Sequence, residues 1–202
     1  MEGKLKYLIV ILIWAGFAFI HSLLIDQRFS NWAKQVMGRY FSYYRLLYNF
    51  LSLTLFISLL KYSKSLDTEL VIEFQPPWTI LQYFLLIGSA FIILWAFLSY
   101  DTLEFIGIRQ IKDEGNKGHS SVTITNRGLL GVVRHPMYLA TIIFMWSLNS
   151  TRVDIVVHLI LTIYILIGIK LEERKLINQF GSTYIEYQKK VPALIPFAKK
   201  LS

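Results

Sequence analysis

Arg134, His135 and Pro136 stand directly ahead of an apolar run at residues 137–148, and Glu172 and Glu173 close another apolar run at residues 153–171. A proline in the first turn starts a helix without wasting a backbone donor. The helix start it sets carries unpaired N–H groups and a positive dipole end, which suits a carboxylate or a hydroxyl-rich ligand. Tyr138 falls within that first turn, where its ring can face a cation or stack on a base. A plainer account is also available: an arginine at a membrane edge snorkels to the headgroups, and the proline only begins a helix. The acid pair divides the same way. It either forms local pairs with Arg174 and Lys175 or serves a cationic ligand, and carboxylates close to hydrocarbon are costly enough to require a partner. Spacing adds to the second account, because Tyr164, Gly168 and Glu172 fall at i, i+4 and i+8 on one helical stripe. The glycine opens room on that stripe between an aromatic ring and an acid.

Residues 180–197, "FGSTYIEYQKKVPALIPF", continue the pattern. Leu176, Phe180, Tyr184, Tyr187 and Val191 fall on one apolar side, with Glu186, Lys189 and Lys190 elsewhere, which predicts an amphipathic helix interrupted near Gly181 and stopped before Pro192. It either lies on the membrane surface or covers a cofactor cleft and excludes water. His21, beside Ser22, is an ionisable group inside an apolar run, and it is either functional or a hydrogen-bonded packing histidine. Asp154 and His158, at i and i+4, read as a local ion pair. The four histidines show no ligand spacing, so no metal is expected. No Gly-rich phosphate loop, nucleophile elbow or Ser/His/Asp pattern appears.

These residues need elements to hold them, and composition says what kind. Of 202 residues 54% are hydrophobic and only 17% are charged, and the mean hydropathy is +0.48. That is the balance of an integral membrane protein. The net charge of +8 comes from cations that punctuate apolar stretches instead of forming dense runs, which argues against a nucleic-acid partner. With no cysteine there is no disulfide, no thiolate metal site and no cysteine nucleophile.

Four long apolar stretches, residues 5–25, 43–60, 78–98 and 153–171, predict bilayer-spanning helices, the first of them retained and not cleaved as a signal peptide. The fifth, residues 137–148, is a dozen residues long and covers roughly 18 Å of a core about 30 Å thick, so it pairs with the last span in a short hairpin turning at residues 149–154. The fold expected is therefore an all-α integral membrane protein of about five transmembrane helices, the last two a short helical hairpin, with a C-terminal amphipathic helix. Residues 1–202 form a single domain on this reading, with the catalytic part in 101–197. The loops at residues 26–42 and 100–134 and the tail after Lys170 carry most of the lysine and arginine; the other set of loops has only Lys4, Lys6, Lys61, Lys64 and Arg152. By the positive-inside tendency the N-terminus lies outside, and the long loop, the acid pair and the C-terminus are cytoplasmic.

Taken in order, "RHPMY", "LEERKL", "FGSTYIEY" and "VPALIP" resemble the membrane methyltransferases related to isoprenylcysteine carboxyl methyltransferase and the phospholipid methyltransferases. More narrowly, "FIGIRQI" at 105–111, "YILIGIKLEERKLI" at 164–177, and the "IHS" and "YYRLLYNFLS" segments near the front resemble methanethiol S-methyltransferases and the NnrU-like proteins. The resemblance implies methyl transfer from S-adenosylmethionine to a small thiol such as methanethiol, giving dimethyl sulfide, in a bacterial inner membrane. It implies that His135, Pro136, Tyr138, Glu172, Glu173 and Tyr187 hold the cofactor, that Tyr184 joins Tyr187 in a lid, and that Glu172 and Arg134 act in catalysis. Two positions depart from the family pattern: Leu130 stands where tyrosine is frequent and Ala140 where glycine is. The prenylcysteine enzymes also carry an arginine for a substrate carboxylate about one turn before the acid pair. Here that neighbourhood offers Gly168, with Lys170 as the nearest cation. The alternatives are a methyltransferase of an isoprenoid, lipid or protein carboxylate, and a non-enzymatic NnrU-type transport or assembly protein. Polar groups crowd one membrane face instead of the bilayer middle, which favours an enzyme over a transporter. The partners expected are membrane lipids and a small thiol or lipophilic substrate.

Overall fold

Apolar side chains without breakers make long helices, and the computed structural model, which describes residues 2–99 and 128–196, contains four helical stretches long and apolar enough to cross a bilayer. They are α1 (Glu2–Ile25), the stretch from α2 (Gln27–Met37) through a 3-10 turn at Gly38–Tyr43 into α3 (Tyr44–Ser65), α4 (Trp78–Ser99), and α6 (Arg152–Phe180). The short α5 (Pro136–Trp146) and α7 (Ser182–Lys190) are the other α-helices among the described residues. The all-α membrane architecture expected from hydropathy is the one observed. The "FIGIRQI" segment and most of the long loop lie outside the described residues.

One expectation needs correction. Residues 26–42 were expected to be a loop, whereas most of them are helical. Asp26 caps α2 by accepting from the amides of Arg28 at 2.8 Å and Phe29 at 3.4 Å, and Gly38 ends it at φ +53°. An acidic N-cap and a glycine in left-handed backbone delimit a short helix too polar to register as a span.

The chain forms two compact units. The first contains residues up to Glu73 together with Asn149–Ile160. Its core is the α1–α3 pair, where Trp14 is fully buried, donates its indole N–H to Ser63 Oγ at 3.0 Å and meets the rings of Phe17 and Phe56 edge-on. Without water to exclude, packing and such polar contacts hold the helices together. At one end Lys6 pairs with Asp67 at 3.1 Å and Lys64 lies 3.7 Å from Asp154. There β1 (Leu70–Ile72) runs antiparallel to β2 (Ser150–Thr151), with Leu70 opposite Thr151. Asp154 accepts from the Thr151 amide and hydroxyl, while its own amide donates to Thr151 Oγ1, a reciprocal cap on α6.

The second unit contains Phe74–Phe97, residues 128–148 and residues 161–196. Its α5 has 11 residues and covers about 16 Å, so its carbonyl end needs partners within the protein. Ser147 supplies two by donating its amide and its hydroxyl to Ile143 O, and Gln82 from α4 donates Nε2 to Ser147 O at 3.0 Å. Trp146 Nε1 donates to Thr162 Oγ1 at 3.0 Å and fixes α5 against α6.

Candidate functional site

Gly181, at φ +57°, breaks the chain between α6 and α7, and this break turns the tail back over the acid pair. Only glycine takes that backbone geometry at little cost. Beyond α7, Val191 is extended, and the carbonyls of Pro192 and Ala193 accept from the amides of Arg134 at 2.9 Å and His135 at 3.1 Å. These two amides belong to the residues just ahead of the first turn of α5. Both are taken by the tail, where Pro192 contributes its carbonyl without an N–H of its own.

Arg134, with 7% of its side chain exposed, knits the site together. Its Nε donates to Glu173 Oε1 at 2.7 Å, its Nη2 lies 2.5 Å from the same oxygen, and Nη1 donates to the carbonyls of Gln188, at 3.2 Å, and Val191. Glu173 also faces His135 Nε2 at 3.2 Å and accepts Gln188 Nε2 on its other oxygen at 2.9 Å. An acid that takes a guanidinium, an imidazole and an amide is a fastener.

Glu172 is different. Its side chain is 44% exposed, it accepts the Tyr138 hydroxyl at 2.9 Å, and its Oε2 lies 3.9 Å from His135 Nδ1. The His135 ring stacks on Tyr138 with centroids 5.5 Å apart and is itself buried. Glu173 accepts from His135 when Nε2 carries a proton, and Nδ1 on the other side of the ring faces Glu172. In formal charge Arg134 offsets Glu173, and Glu172 remains as a net negative charge with an open side.

The tail forms a wall over this cluster. Tyr184 is buried, with its ring edge-on to Tyr187, and Tyr187 donates its hydroxyl to Leu130 O at 2.5 Å. Leu130 lies in the 3-10 turn Gly128–Gly131 and contributes its carbonyl, so the absence of tyrosine there does not cost the tail its attachment. Burial, reinforced by the charge of Glu173, pushes the Tyr184 hydroxyl up to about 12.

Of the residues singled out from the sequence, Arg134, His135, Tyr138, Glu172 and Glu173 meet in one cluster. Pro136 is buried at the first position of α5, and Tyr187 ties the tail to the turn. Gln188 was missed. It lies among lysines on a surface helix, and nothing in its local sequence marks it. Gln82 was also missed, although a glutamine within the second turn of an apolar span is a signal that it has a partner. His21 bonds Ser52 Oγ through Nδ1 at 2.9 Å and stacks on Phe17 within the α1–α3 pair.

Spanning helices with a charged cluster gathered beneath a folded-back tail define an integral membrane protein with a polar site built from its last helices and tail. The chain belongs to the NnrU protein family, whose profile matches residues 9–196. It is 28% identical over 198 residues to methanethiol S-methyltransferase 1 of Bradyrhizobium diazoefficiens, covering 96% of this chain and 68% of that protein. It is likewise 28% identical over 199 residues to methanethiol S-methyltransferase of Pseudomonas deceptionensis, covering 97% of this chain and 75% of the relative. Over 91 residues it is 37% identical to protein-S-isoprenylcysteine O-methyltransferase of Xenopus laevis, with 42% of this chain and 31% of the relative aligned. No solved structure matches. The names of these relatives support a membrane methyltransferase, and such an enzyme needs a methyl donor.

Proposed function

We propose that this protein transfers a methyl group from S-adenosylmethionine to methanethiol and releases dimethyl sulfide. The observation that carries the reading is Glu172, a carboxylate oriented by Tyr138 and left with an open side and an uncompensated charge. The donor set fits the cofactor, because a net negative cluster with an aromatic hydroxyl suits the ammonium and sulfonium charges of S-adenosylmethionine. When bound, that group supplies an electrophilic methyl on sulfur.

The chain's own residues do the rest. Glu172 and Tyr138 bind the cationic part of the cofactor, and Arg134 and Glu173 hold His135 and the tail in place. The thiolate is the nucleophile, and the thiol proton is lost beside Glu172 and His135, whose carboxylate and ring face each other across the site. By excluding water, the tail would strengthen the attraction of the site for a thiolate beside a bound sulfonium. A neutral thioether leaves through lipid. The acceptor reading is supported by charge and by names: two relatives matched over nearly the whole chain are called methanethiol S-methyltransferases, and the position one turn before Glu172 is Gly168, with Lys170 as the nearest cation in place of an arginine. A carboxylate acceptor about 4–6 Å from Glu172 would meet roughly 3–4 kcal/mol of repulsion at an effective dielectric near 20. The site faces the cytoplasm in a bacterial inner membrane, where the methyl donor is made.

Membranes containing the protein, supplied with S-adenosylmethionine and methanethiol, are expected to release dimethyl sulfide into the headspace and to leave a farnesylated cysteine unmethylated. Methylation of the prenylcysteine without thioether would overturn the acceptor. Absence of S-adenosylmethionine binding to the purified protein would overturn the enzymatic reading.

A further inference from the structure

The helix α2 has no part in the site just described, yet its surface is organised. It begins one residue after the apolar α1 ends, and the chain re-enters an apolar helix at α3, so α2 and the turn that follows occupy one membrane boundary. On its apolar side Ala33 is buried against the protein, while Trp32 and Val36 are exposed and Phe29 contacts Trp32 with ring centroids 5.1 Å apart. Arg28, Asn31, Lys34 and Gln35 form the other side, all exposed. Arg39 follows, exposed, with its guanidinium 4.8 Å from the centre of the Tyr40 ring and Nη2 bonded to the Tyr40 hydroxyl at 2.7 Å.

Charge decides what such a surface meets. From residue 26 to residue 40 the cations are Arg28, Lys34 and Arg39, and the acid is Asp26, whose carboxylate is bound to the amides that start α2. Exposed tryptophan and tyrosine beside unneutralised cations are the pattern of a helix lying in the interface, rings at the level of the upper acyl chains and cations among the headgroups. A purely apolar partner would leave three cations unmatched, and an aqueous protein partner would leave Trp32 and Val36 at odds with their depth.

We infer that α2 and the turn after it form a binding surface for anionic phospholipid headgroups, with Arg28, Lys34 and Arg39 as the phosphate-facing cations and Trp32 as the insertion anchor. The inference does not depend on the methyltransferase reading.

The test uses the full chain reconstituted in phosphatidylcholine vesicles with and without phosphatidylglycerol. Spin-labelled phosphatidylglycerol should associate with the protein more strongly than spin-labelled phosphatidylcholine, and raised salt should weaken the preference. Replacing Arg28→Gln, Lys34→Gln and Arg39→Gln singly should each reduce the preference, by up to about fivefold per cation. The charge-keeping pair Arg28→Lys and Arg39→Lys should retain it, which separates loss of charge from misfolding. Lipids brominated near the top of the acyl chain should quench wild-type fluorescence more than that of Trp32→Phe. Equal association of the two labelled lipids, or a preference unchanged when all three cations are removed, would overturn the inference. Trp32 shielded from brominated lipid would do the same and would point to a protein partner.

Discussion

Glu172 and Glu173 are neighbours with identical side chains, and the fold gives them opposite work. The side chain of Glu173 is 16% exposed and holds Arg134, His135 and Gln188, whereas that of Glu172 is 44% exposed and holds one hydroxyl. Neutralising each should therefore fail differently. Glu173→Gln leaves the Arg134 guanidinium buried without its counter-charge, which costs on the order of 3–5 kcal/mol of stability. Glu172→Gln removes a partly solvated charge and should leave the melting temperature nearly unchanged. Its effect belongs to the cofactor: a lost charge-assisted hydrogen bond weakens S-adenosylmethionine binding by roughly 1.5–3 kcal/mol, about 10- to 100-fold. Thermal unfolding and calorimetric titration of both variants measure the two effects separately. If Glu172→Gln binds the cofactor like wild type, Glu172 is not its ligand.

At the scale of elements, what hydropathy could reveal was revealed. The apolar runs became α1, α3, α4 and α6, the proline opened α5, and Gly181 broke the last helix where the stripe of Phe180, Tyr184 and Tyr187 required a break. The cluster of Arg134, His135 and the two acids was legible because ionisable side chains beside hydrocarbon demand partners. The strap of residues 191–193 was not legible, since it acts through backbone carbonyls and carries no side-chain signature. The α2 helix was hidden by its polarity, and Gln188 by looking like any surface glutamine. That strap makes the tail a wall tied to α5 and α6, and Tyr184 gives it a pH limit. Its hydroxyl is raised from an ordinary 10.0 to about 12, first by burial and then by the charge of Glu173. Because the folded value lies above the unfolded one, the stabilisation is complete below pH 10 and is lost as pH rises through 12. Alkali should therefore release the tail, read as proteolytic cleavage between Gly181 and Val191. Tyr184→Phe, which has no proton to lose, should keep the tail protected to higher pH than wild type, and an unchanged alkaline midpoint would show that another group sets the limit.

For the whole molecule, the remaining question is which way it faces. Within the first unit the start of α1, the end of α3 and the start of α6 meet at one end, through Lys6 with Asp67, Lys64 with Asp154, and the β1–β2 pair. In sequence the cations near that end, Lys4, Lys6, Lys61, Lys64 and Arg152, stand among acids that include Asp67, Glu69, Glu73 and Asp154. The opposite boundary of α1 and α3 carries Arg28, Lys34, Arg39 and Arg45 against Asp26, and Arg174 and Lys175 follow the acid pair at the far end of α6. Along that single helix Asp154 and Glu172 are roughly 27 Å apart at 1.5 Å per residue, close to the thickness of a hydrocarbon core. By the positive-inside tendency we propose a cytoplasmic location for the cation-rich boundary of α1 and α3 and for the acid pair. Because the sequence contains no cysteine, single cysteines report this directly. Ser65→Cys, exposed at the end of α3, should react with an impermeant maleimide on sealed cells. Gln179→Cys, exposed near the end of α6, should react only after permeabilisation. The reverse pattern would turn the molecule over and separate the Glu172 site from the cytoplasmic supply of methyl donor, and the proposed reaction would fall with it.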